Sequence, residues 1–284
     1  MTPAKRTIHL ATALLAFIAF ANLAHRPDGR FPWKLNPASS TNDSVVLATP
    51  GQVTHSDSTA IATISRQGPY FIANGLRTER RIALTFDACA SYRPSHYDQA
   101  VTDVLLETQT PATIFLSGRW MQEHPKETQS LAAIPIFELG NHSETHPHMT
   151  TLTEAEMARE LKQTQNTLFD LTRRKAMLFR PPFGEYNDTL INAARSLGLI
   201  TVQYDLASGD PDTSFDAKRL IRSVVDDARN GSIIVMHINR RGWHTSEALP
   251  AIIAELRKKG FVLVKVSDLL ADLTASQSVS PAFR

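Results

Sequence analysis

Cysteine is almost absent from this chain of 284 residues: Cys89 is the only one, so an intramolecular disulfide is excluded. The two signs of charge nearly cancel, because 30 Lys and Arg residues are matched by 28 Asp and Glu residues, for a formal charge of +2. A nucleic-acid partner needs a dense basic face, and this balance argues against one. Hydrophobic residues make up 42% of the chain and charged residues 20%, which excludes disorder and predicts a sizeable buried core.

Long apolar segments are also lacking, since the apolar run near the N-terminus covers only residues 10–21. Lys5 and Arg6 precede this run, and Ala19 and Ala21 form a pattern that a signal peptidase cleaves. A membrane-spanning helix needs about 20 apolar residues, so the sequence favours a cleaved signal peptide over residues 1–24. This interpretation predicts an exported protein, periplasmic or secreted. An uncleaved anchor that tethers the chain to the inner membrane is the alternative.

The rest of the chain divides by composition into three parts. Residues 25–78 are rich in proline and polar residues and have little periodic apolar pattern, which predicts a linker or a poorly ordered collar. Residues 79–272 are predicted to form the catalytic domain, and residues 273–284 a tail.

After Arg81, short apolar runs alternate with amphipathic segments, as is typical of an α/β fold with parallel strands joined by helices. The seven predicted strands are 82–86, 112–116, 136–139, 177–179, 200–204, 232–237 and 261–266. Predicted helices include 153–171, 187–197 and 246–259, and Thr153 with Glu156 forms a capping box at the start of the first. Seven strands without a Gly-rich nucleotide loop favour a β/α barrel over a doubly wound sheet.

Polar side chains gather where the predicted strands end. They are Asp87, Asn141 with His142 and Ser143, Arg180, Asp205 with Asp210, and His237. Parallel α/β folds carry their chemistry at the carboxyl ends of the strands, so these side chains are predicted to form one site. His142 and His146 are four residues apart, and a helical turn there lets both imidazoles bind a first-row metal such as Zn²⁺. On spacing alone, two solvated loop histidines are the alternative.

Five motifs follow one another along these strand ends. They are Thr85-Phe86-Asp87, His142-Ser143-Glu144-Thr145-His146, Arg180-Pro181-Pro182-Phe183-Gly184, Asp210, and Val235-Met236-His237. In order and spacing they resemble the polysaccharide deacetylases of carbohydrate esterase family 4, which include chitin, chito-oligosaccharide and peptidoglycan deacetylases. The resemblance covers about residues 81–270. It implies a distorted β/α barrel of about seven parallel strands and the hydrolysis of an acetamide, in which a bound divalent metal polarises the carbonyl and activates water.

The resemblance also implies roles for six of the motif residues. The implied metal ligands are His142 and His146, and the implied catalytic residues are Asp87, Arg180, Asp210 and His237. Asp87 is the base that takes a proton from the attacking water, and Arg180 steadies its carboxylate through charge-assisted hydrogen bonds. His237 protonates the departing amine, and Asp210 keeps this histidine charged and oriented.

Three further residues are predicted to contact the substrate. Phe183 and Met236 are expected to form apolar walls near the acetyl methyl group. Trp243 follows the sixth predicted strand and is expected to stack on a sugar face, or else to cover the start of the next helix. Pro211 occupies a position where the family often has an aromatic groove wall, so the shape of the substrate groove is expected to differ.

The first motif departs from the family pattern at Ala88, where the family has a second aspartate that serves as the third metal ligand. An alanine side chain binds no metal, and three arrangements remain open. Asp87 binds the metal directly or through water, which we favour; Cys89 supplies a thiolate; or no metal is bound and the two histidines donate hydrogen bonds to the substrate.

Three functions from different classes are consistent with these residues. The first is a hydrolase that removes N-acetyl groups from an N-acetylglucosamine-containing polysaccharide or oligosaccharide, using a divalent metal that we expect to be zinc. The second is a metal-independent amidohydrolase of the same fold that acts on another C–N bond, and the third is a non-catalytic carbohydrate-binding protein. We favour the first, because export places the chain near cell-envelope polymers and because a pure binder has no need of Asp87, Arg180 and His237.

Overall fold

The computed structural model of the protein describes residues 70–90 and 95–278. The predicted signal peptide or anchor, most of the predicted linker and the end of the predicted tail lie outside the described residues. Within the described ranges, every helix is too short or too polar to cross a membrane.

Nine strands form a single sheet in the described part of the chain. They are β1 (Phe71–Ile72), β2 (Arg81–Ala88), β3 (Ala112–Leu116), β4 (Phe137–Asn141), β5 (Leu178–Phe179), β6 (Ile200–Val202), β7 (Leu206–Ala207), β8 (Ile233–His237) and β9 (Val262–Val264). The seven predicted runs correspond to β2–β6, β8 and β9. The two additional strands, β1 and β7, have two residues each, which is too short for an apolar pattern to reveal.

The strands lie in the order β1-β6-β5-β4-β3-β2-β8-β7, with β9 paired to the first half of β2. All of these ladders are parallel. The helices are α1 (Gln99–Glu107), α2 (Gly118–Glu123), α3 (Pro125–Ala133), α4 (Glu154–Thr172), α5 (Asp188–Ser196), α6 (Ala217–Asp227), α7 (Thr245–Lys258) and α8 (Val266–Ser278). The architecture is the predicted distorted β/α barrel.

Helix α4 begins where the sequence predicts it. The Thr153 side chain accepts from the backbone N–H of Glu156, and the Glu156 carboxylate accepts from the backbone N–H of Thr153 at 2.9 Å, so the capping box is formed. This reciprocal pair satisfies two N–H groups that would otherwise lack partners at the first turn. Helix α5 begins in a related way, because the Asn187 side chain accepts from the N–H of Leu190 at 2.9 Å.

The folded domain extends beyond the predicted limits of residues 79 and 272. Strand β1 pairs with β6, and the ring of Phe71 packs 4.8 Å from that of Tyr186. At the other end, α8 continues past residue 272 to Ser278, and Leu273 is buried in the core. Both segments belong to the sheet or its packing, although the sequence assigned them to a linker and a tail.

Alternation along the strands positions the site above an apolar core. Ala83 of β2 and Ile233 of β8 are neighbours in the parallel ladder and belong to one buried cluster, which also includes residues of α8. Because side chains of one strand alternate between its two faces, the faces that carry Ala83 and Ile233 also carry Asp87 and His237. The apolar cluster therefore leaves these two polar side chains at the carboxyl ends of their strands.

Candidate active site

Asp87 and His237 are direct neighbours at the carboxyl ends of β2 and β8. Adjacent strands lie about 4.8 Å apart, so residues in register on the same face bring their side chains close together. Both side chains are mostly withdrawn from solvent, and Asp87 is 6% exposed. A carboxylate and an imidazole thus stand side by side at one end of the barrel.

Arg180 holds the Asp87 carboxylate from the interior of the barrel. Its Nη1 donates to Asp87 Oδ1 at 2.9 Å and to Thr85 Oγ1 at 2.8 Å, and its guanidinium is fully buried. Burial by itself raises the pKa of Asp87, but the positive charges of Arg180 and His237 and the hydrogen bond from Arg180 outweigh it. The pKa of Asp87 is therefore below its ordinary value of 3.8, and the carboxylate is charged at neutral pH.

Asp210 fixes the orientation of the His237 ring through two hydrogen bonds. Its Oδ1 accepts from Nδ1 of His237 at 2.9 Å, and its Oδ2 accepts from the His237 backbone N–H at 2.7 Å. Burial disfavours the charged imidazole, but the charge of Asp210 and its hydrogen bond outweigh burial and raise the pKa of His237 above 6.5. With Nδ1 engaged by Asp210, the protonated ring keeps Nε2–H available for a substrate.

His142 and His146 face each other beside Asp87. Their ring centroids are 4.9 Å apart, and Nε2 of His142 lies 3.8 Å from Oδ2 of Asp87. Nδ1 of His142 donates to the carbonyl oxygen of Arg180 at 2.9 Å, which leaves its Nε2 as the unprotonated nitrogen of the neutral ring. Burial lowers the pKa of both histidines, to about 3 for His146, so both rings are neutral at neutral pH.

Two neutral imidazoles suit a metal ion, but a third donor does not join them. Among residues 70–90 and 95–278, no three His, Cys, Asp or Glu side chains are grouped in a way that would hold a metal. Position 88 is an alanine, and the sulfur of Cys89 is buried 3.7 Å from Nδ2 of Asn239. The described side chains therefore do not fit the three-ligand site that the resemblance implies, and we assign no step of the reaction to a metal.

The three predicted substrate contacts have different surroundings. Phe183 is 46% exposed, and its ring packs edge-on against His146 at 4.6 Å and flat against His148 at 4.2 Å. Trp243 is 47% exposed, and its backbone lies near the site, because the backbone N–H of Trp243 donates to the carbonyl oxygen of Asp210 at 2.8 Å.

Met236 is fully buried, which corrects its assignment to the substrate wall. It pairs with Phe86 in the ladder between β8 and β2, and both side chains are inaccessible to solvent. Strand alternation puts Met236 on the opposite face of the sheet from His237. It packs in the core between sheet and helices instead of facing a substrate.

Several residues that support the site had no role assigned from the sequence. Ser208 Oγ and Thr245 Oγ1 donate to Asp210 at 3.1 and 2.8 Å, and Thr85 accepts from Arg180. Glu160 of α4 accepts hydrogen bonds from the segment between His142 and His146. Only Glu160 has a signal in the sequence, since it is a charged residue on the apolar face of a predicted helix.

Comparison with known proteins gives consistent matches over the described domain. The family model for polysaccharide deacetylase matches residues 74–202. The chain is 29% identical over 195 residues to the peptidoglycan-N-acetylglucosamine deacetylase of Bacillus cereus, which covers 68% of this chain and 89% of that protein. Three other relatives are longer than this chain. The chain spans 26% of the bifunctional xylanase/xylan deacetylase of Cellvibrio japonicus, 31% of the bifunctional xylanase/deacetylase of Pseudobutyrivibrio xylanivorans and 54% of the protein YlxY of Bacillus subtilis.

Solved structures with the same fold include an enzyme and a pseudoenzyme. A family 4 carbohydrate esterase from Streptomyces lividans, solved in complex with acetate, is 31% identical, with a TM-score of 0.57 over 68% of this chain and 92% of that one. A CE4 family pseudoenzyme from Bacillus anthracis is 25% identical, with a TM-score of 0.64 over 71% of this chain and 69% of that one.

Proposed function

The chain belongs to the polysaccharide deacetylase family, and on that premise we propose that it hydrolyses the acetamide of N-acetylglucosamine units in a polysaccharide or oligosaccharide. The observation that carries this proposal is the pairing of Asp87 with His237 in adjacent strands. The surroundings of the two groups shift their pKa values in opposite directions, Asp87 downward and His237 upward. At neutral pH the pair thus offers a charged carboxylate and an imidazolium, as a base and an acid require.

In the proposed reaction, Asp87 accepts a proton from a water molecule as that water attacks the acetyl carbonyl carbon. Arg180 occupies Oδ1 of Asp87, so Oδ2 is the oxygen that takes the proton. The tetrahedral intermediate then breaks its C–N bond, and Nε2–H of His237 protonates the departing amine. Acetate and a glucosamine unit with a primary amine leave the site.

The rim offers apolar surface to a carbohydrate. Phe183 and Trp243 are each about half exposed, and aromatic faces of this kind bind the apolar faces of sugar rings. We propose that both line the substrate groove. The peptidoglycan deacetylase of Bacillus cereus supports a cell-envelope polymer as the substrate, and the predicted signal peptide supports export.

The proposal is tested by acetate release from N-acetylglucosamine oligomers, using the full chain with and without a chelator. We expect acetate in the absence of chelator. Loss of activity with chelator and its return with zinc support a metal-assisted reaction, and release indifferent to chelator supports hydrolysis of the acetamide without a metal. No acetate from these oligomers or from purified peptidoglycan contradicts the proposed function.

We expect Ala88→Asp to strengthen zinc binding by at least about tenfold, because it adds an anionic ligand where the family has one. Isothermal titration of chelator-treated protein measures the change, and circular dichroism checks the fold. Ala90→Asp is the matched control, since it adds the same charge two residues away. Equal zinc affinity in the two variants would show that position 88 is not the missing ligand.

A non-catalytic carbohydrate-binding function is the second candidate, and Ala88 is the observation that favours it. The similarity to a CE4 family pseudoenzyme adds support. Binding of N-acetylglucosamine oligomers without acetate release, in the experiment above, would establish this alternative.

A further inference from the structure

The segment that carries the two histidines has a strained backbone. Ser143 and His146 have φ angles of 61° and 58°, in the left-handed region that residues other than glycine rarely adopt. Such conformations persist only where surrounding contacts hold them, and they cluster at functional sites. The segment 142–146 therefore needs an external restraint if both imidazoles are to face the same point.

Glu160 of α4 supplies three hydrogen bonds to this segment. Its Oε2 accepts from the backbone N–H groups of Glu144 and Thr145 at 2.9 and 2.8 Å. Its Oε1 accepts from the hydroxyl of Thr145 at 2.9 Å. These donors lie between the two left-handed residues, so one carboxylate restrains the middle of the strained segment.

Leu161, which follows Glu160 in helix α4, restrains the start of the segment through Asn141. The carbonyl of Leu161 accepts from Nδ2 of Asn141 at 3.0 Å, and Oδ1 of Asn141 accepts from the Ser143 N–H at 2.9 Å. Glu160 is itself 7% exposed, and burying a carboxylate is costly unless it is well hydrogen-bonded. This depth of burial, with all three donors in one short segment, indicates a specific restraint.

We propose that Glu160 is a positioning residue, which holds segment 142–146 so that His142 and His146 converge beside Asp87. The inference rests on the proposed function, because it assigns the two histidines to the site of acetamide hydrolysis. Without the carboxylate, the backbone of Ser143 and His146 relaxes toward ordinary φ values and the rings separate from their 4.9 Å spacing. Small displacements of this kind at a reacting centre are costly for turnover.

Three substitutions at Glu160 separate hydrogen bonding from charge. Glu160→Ala removes all three bonds, and Glu160→Asp keeps the charge but withdraws it from the segment by one methylene. Glu160→Gln keeps a carbonyl oxygen for the two backbone donors, and its amide N–H donates to the hydroxyl of Thr145. We therefore expect kcat to fall about 100-fold in Glu160→Ala and Glu160→Asp, with KM nearly unchanged. In Glu160→Gln we expect kcat to stay close to that of the wild type.

Glu138→Asp is the matched control, because it shortens another hydrogen-bonded carboxylate by the same methylene. Glu138 lies near the amino end of β4, outside the segment, and its Oε2 accepts from the hydroxyl of Thr113 at 3.0 Å and from the Ser267 N–H at 3.2 Å. We therefore expect wild-type kcat. A control variant that loses as much activity as Glu160→Asp overturns the inference, since any such carboxylate would then have the same effect.

The measurement is kcat and KM for acetate release by the full chain, together with the ¹H–¹⁵N side-chain spectrum of its histidines. We expect the signals of His142 and His146 to move in Glu160→Asp and to stay in place in Glu160→Gln. Unchanged signals and near-normal kcat in Glu160→Asp overturn the inference, as does an equal loss in Glu160→Gln. If Glu160→Ala does not fold, the result for Glu160→Asp decides the inference. If the wild type releases no acetate, the proposed function fails, and the histidine spectrum alone decides the inference.

Discussion

Asp87→Asn is expected to lower kcat by about 10²- to 10⁴-fold while the protein stays folded. The amide has nearly the shape of the carboxylate, and its carbonyl oxygen still accepts from Nη1 of Arg180, so the barrel interior keeps its packing. It has no basicity at neutral pH, however, and therefore takes no proton from the attacking water. Acetate release from N-acetylglucosamine oligomers measures the loss, and circular dichroism establishes that the fold is retained.

Asp205→Asn is the matched control for that experiment. The Asp205 side chain is 8% exposed, as is that of Asp87, and it forms an ion pair with Arg77 at 2.8 Å. It accepts from the N–H of Ile233 at the amino end of β8, away from the site. We expect near-normal kcat, so an equal loss in both variants would mean that Asp87 acts through stability alone.

The stability of the wild type and of Asp87→Asn at low pH gives an independent check on the charge of Asp87. The pKa of Asp87 is lower in the folded chain than its ordinary value of 3.8, so the charged form stabilises the fold at neutral pH. This contribution is lost as the pH falls from about 3.8 through the folded pKa. The free energy of unfolding of the wild type should approach that of Asp87→Asn across this range, and a constant difference would contradict the charge interactions described for the site.

His237→Ala is expected to lower activity by a similar factor at neutral pH and by less at alkaline pH, where the wild-type histidine is itself deprotonated. Asp210→Asn should instead move the pH dependence. Asp210 raises the pKa of His237, so removing its charge lowers that pKa. Because the proposed acid works only when protonated, the alkaline limb of kcat/KM lies above pH 6.5 in the wild type and moves to lower pH in Asp210→Asn. Asp87 favours the charged imidazole and Arg241 opposes it in both proteins.

Thr245→Val provides the control for Asp210→Asn. It removes a hydrogen bond of 2.8 Å to Oδ2 of Asp210 but leaves the negative charge beside His237. The alkaline limb should therefore move little. A limb that stays in place in Asp210→Asn, or moves equally in Thr245→Val, would contradict the assignment of His237 as the charged acid.

Local patterns in the sequence were sufficient for the architecture. Apolar runs of strand length between amphipathic segments predicted seven of the nine described strands, because the buried side of each element leaves its own periodicity. The capping box at Thr153 predicted the start of α4, since its hydrogen bonds join residues three apart. Polar residues at strand ends predicted most of the side chains that converge, because parallel strands carry their carboxyl ends to one edge. Asp205 is the exception, since it binds the N–H of Ile233 at the amino end of β8.

Tertiary structure alone decided the rest, and the reason is that the contacts involved join distant residues. Strand β1 is too short for a pattern and exists because β6 offers it a partner. Met236 belongs to the same motif as His237, yet the pleat of the strand points its side chain into the core. Thr245 reaches Asp210 across 35 residues of sequence, and Glu160 reaches Thr145 across 15. Hydrogen bonds of this range depend on how the elements pack, and packing leaves no periodic trace in the sequence of either partner.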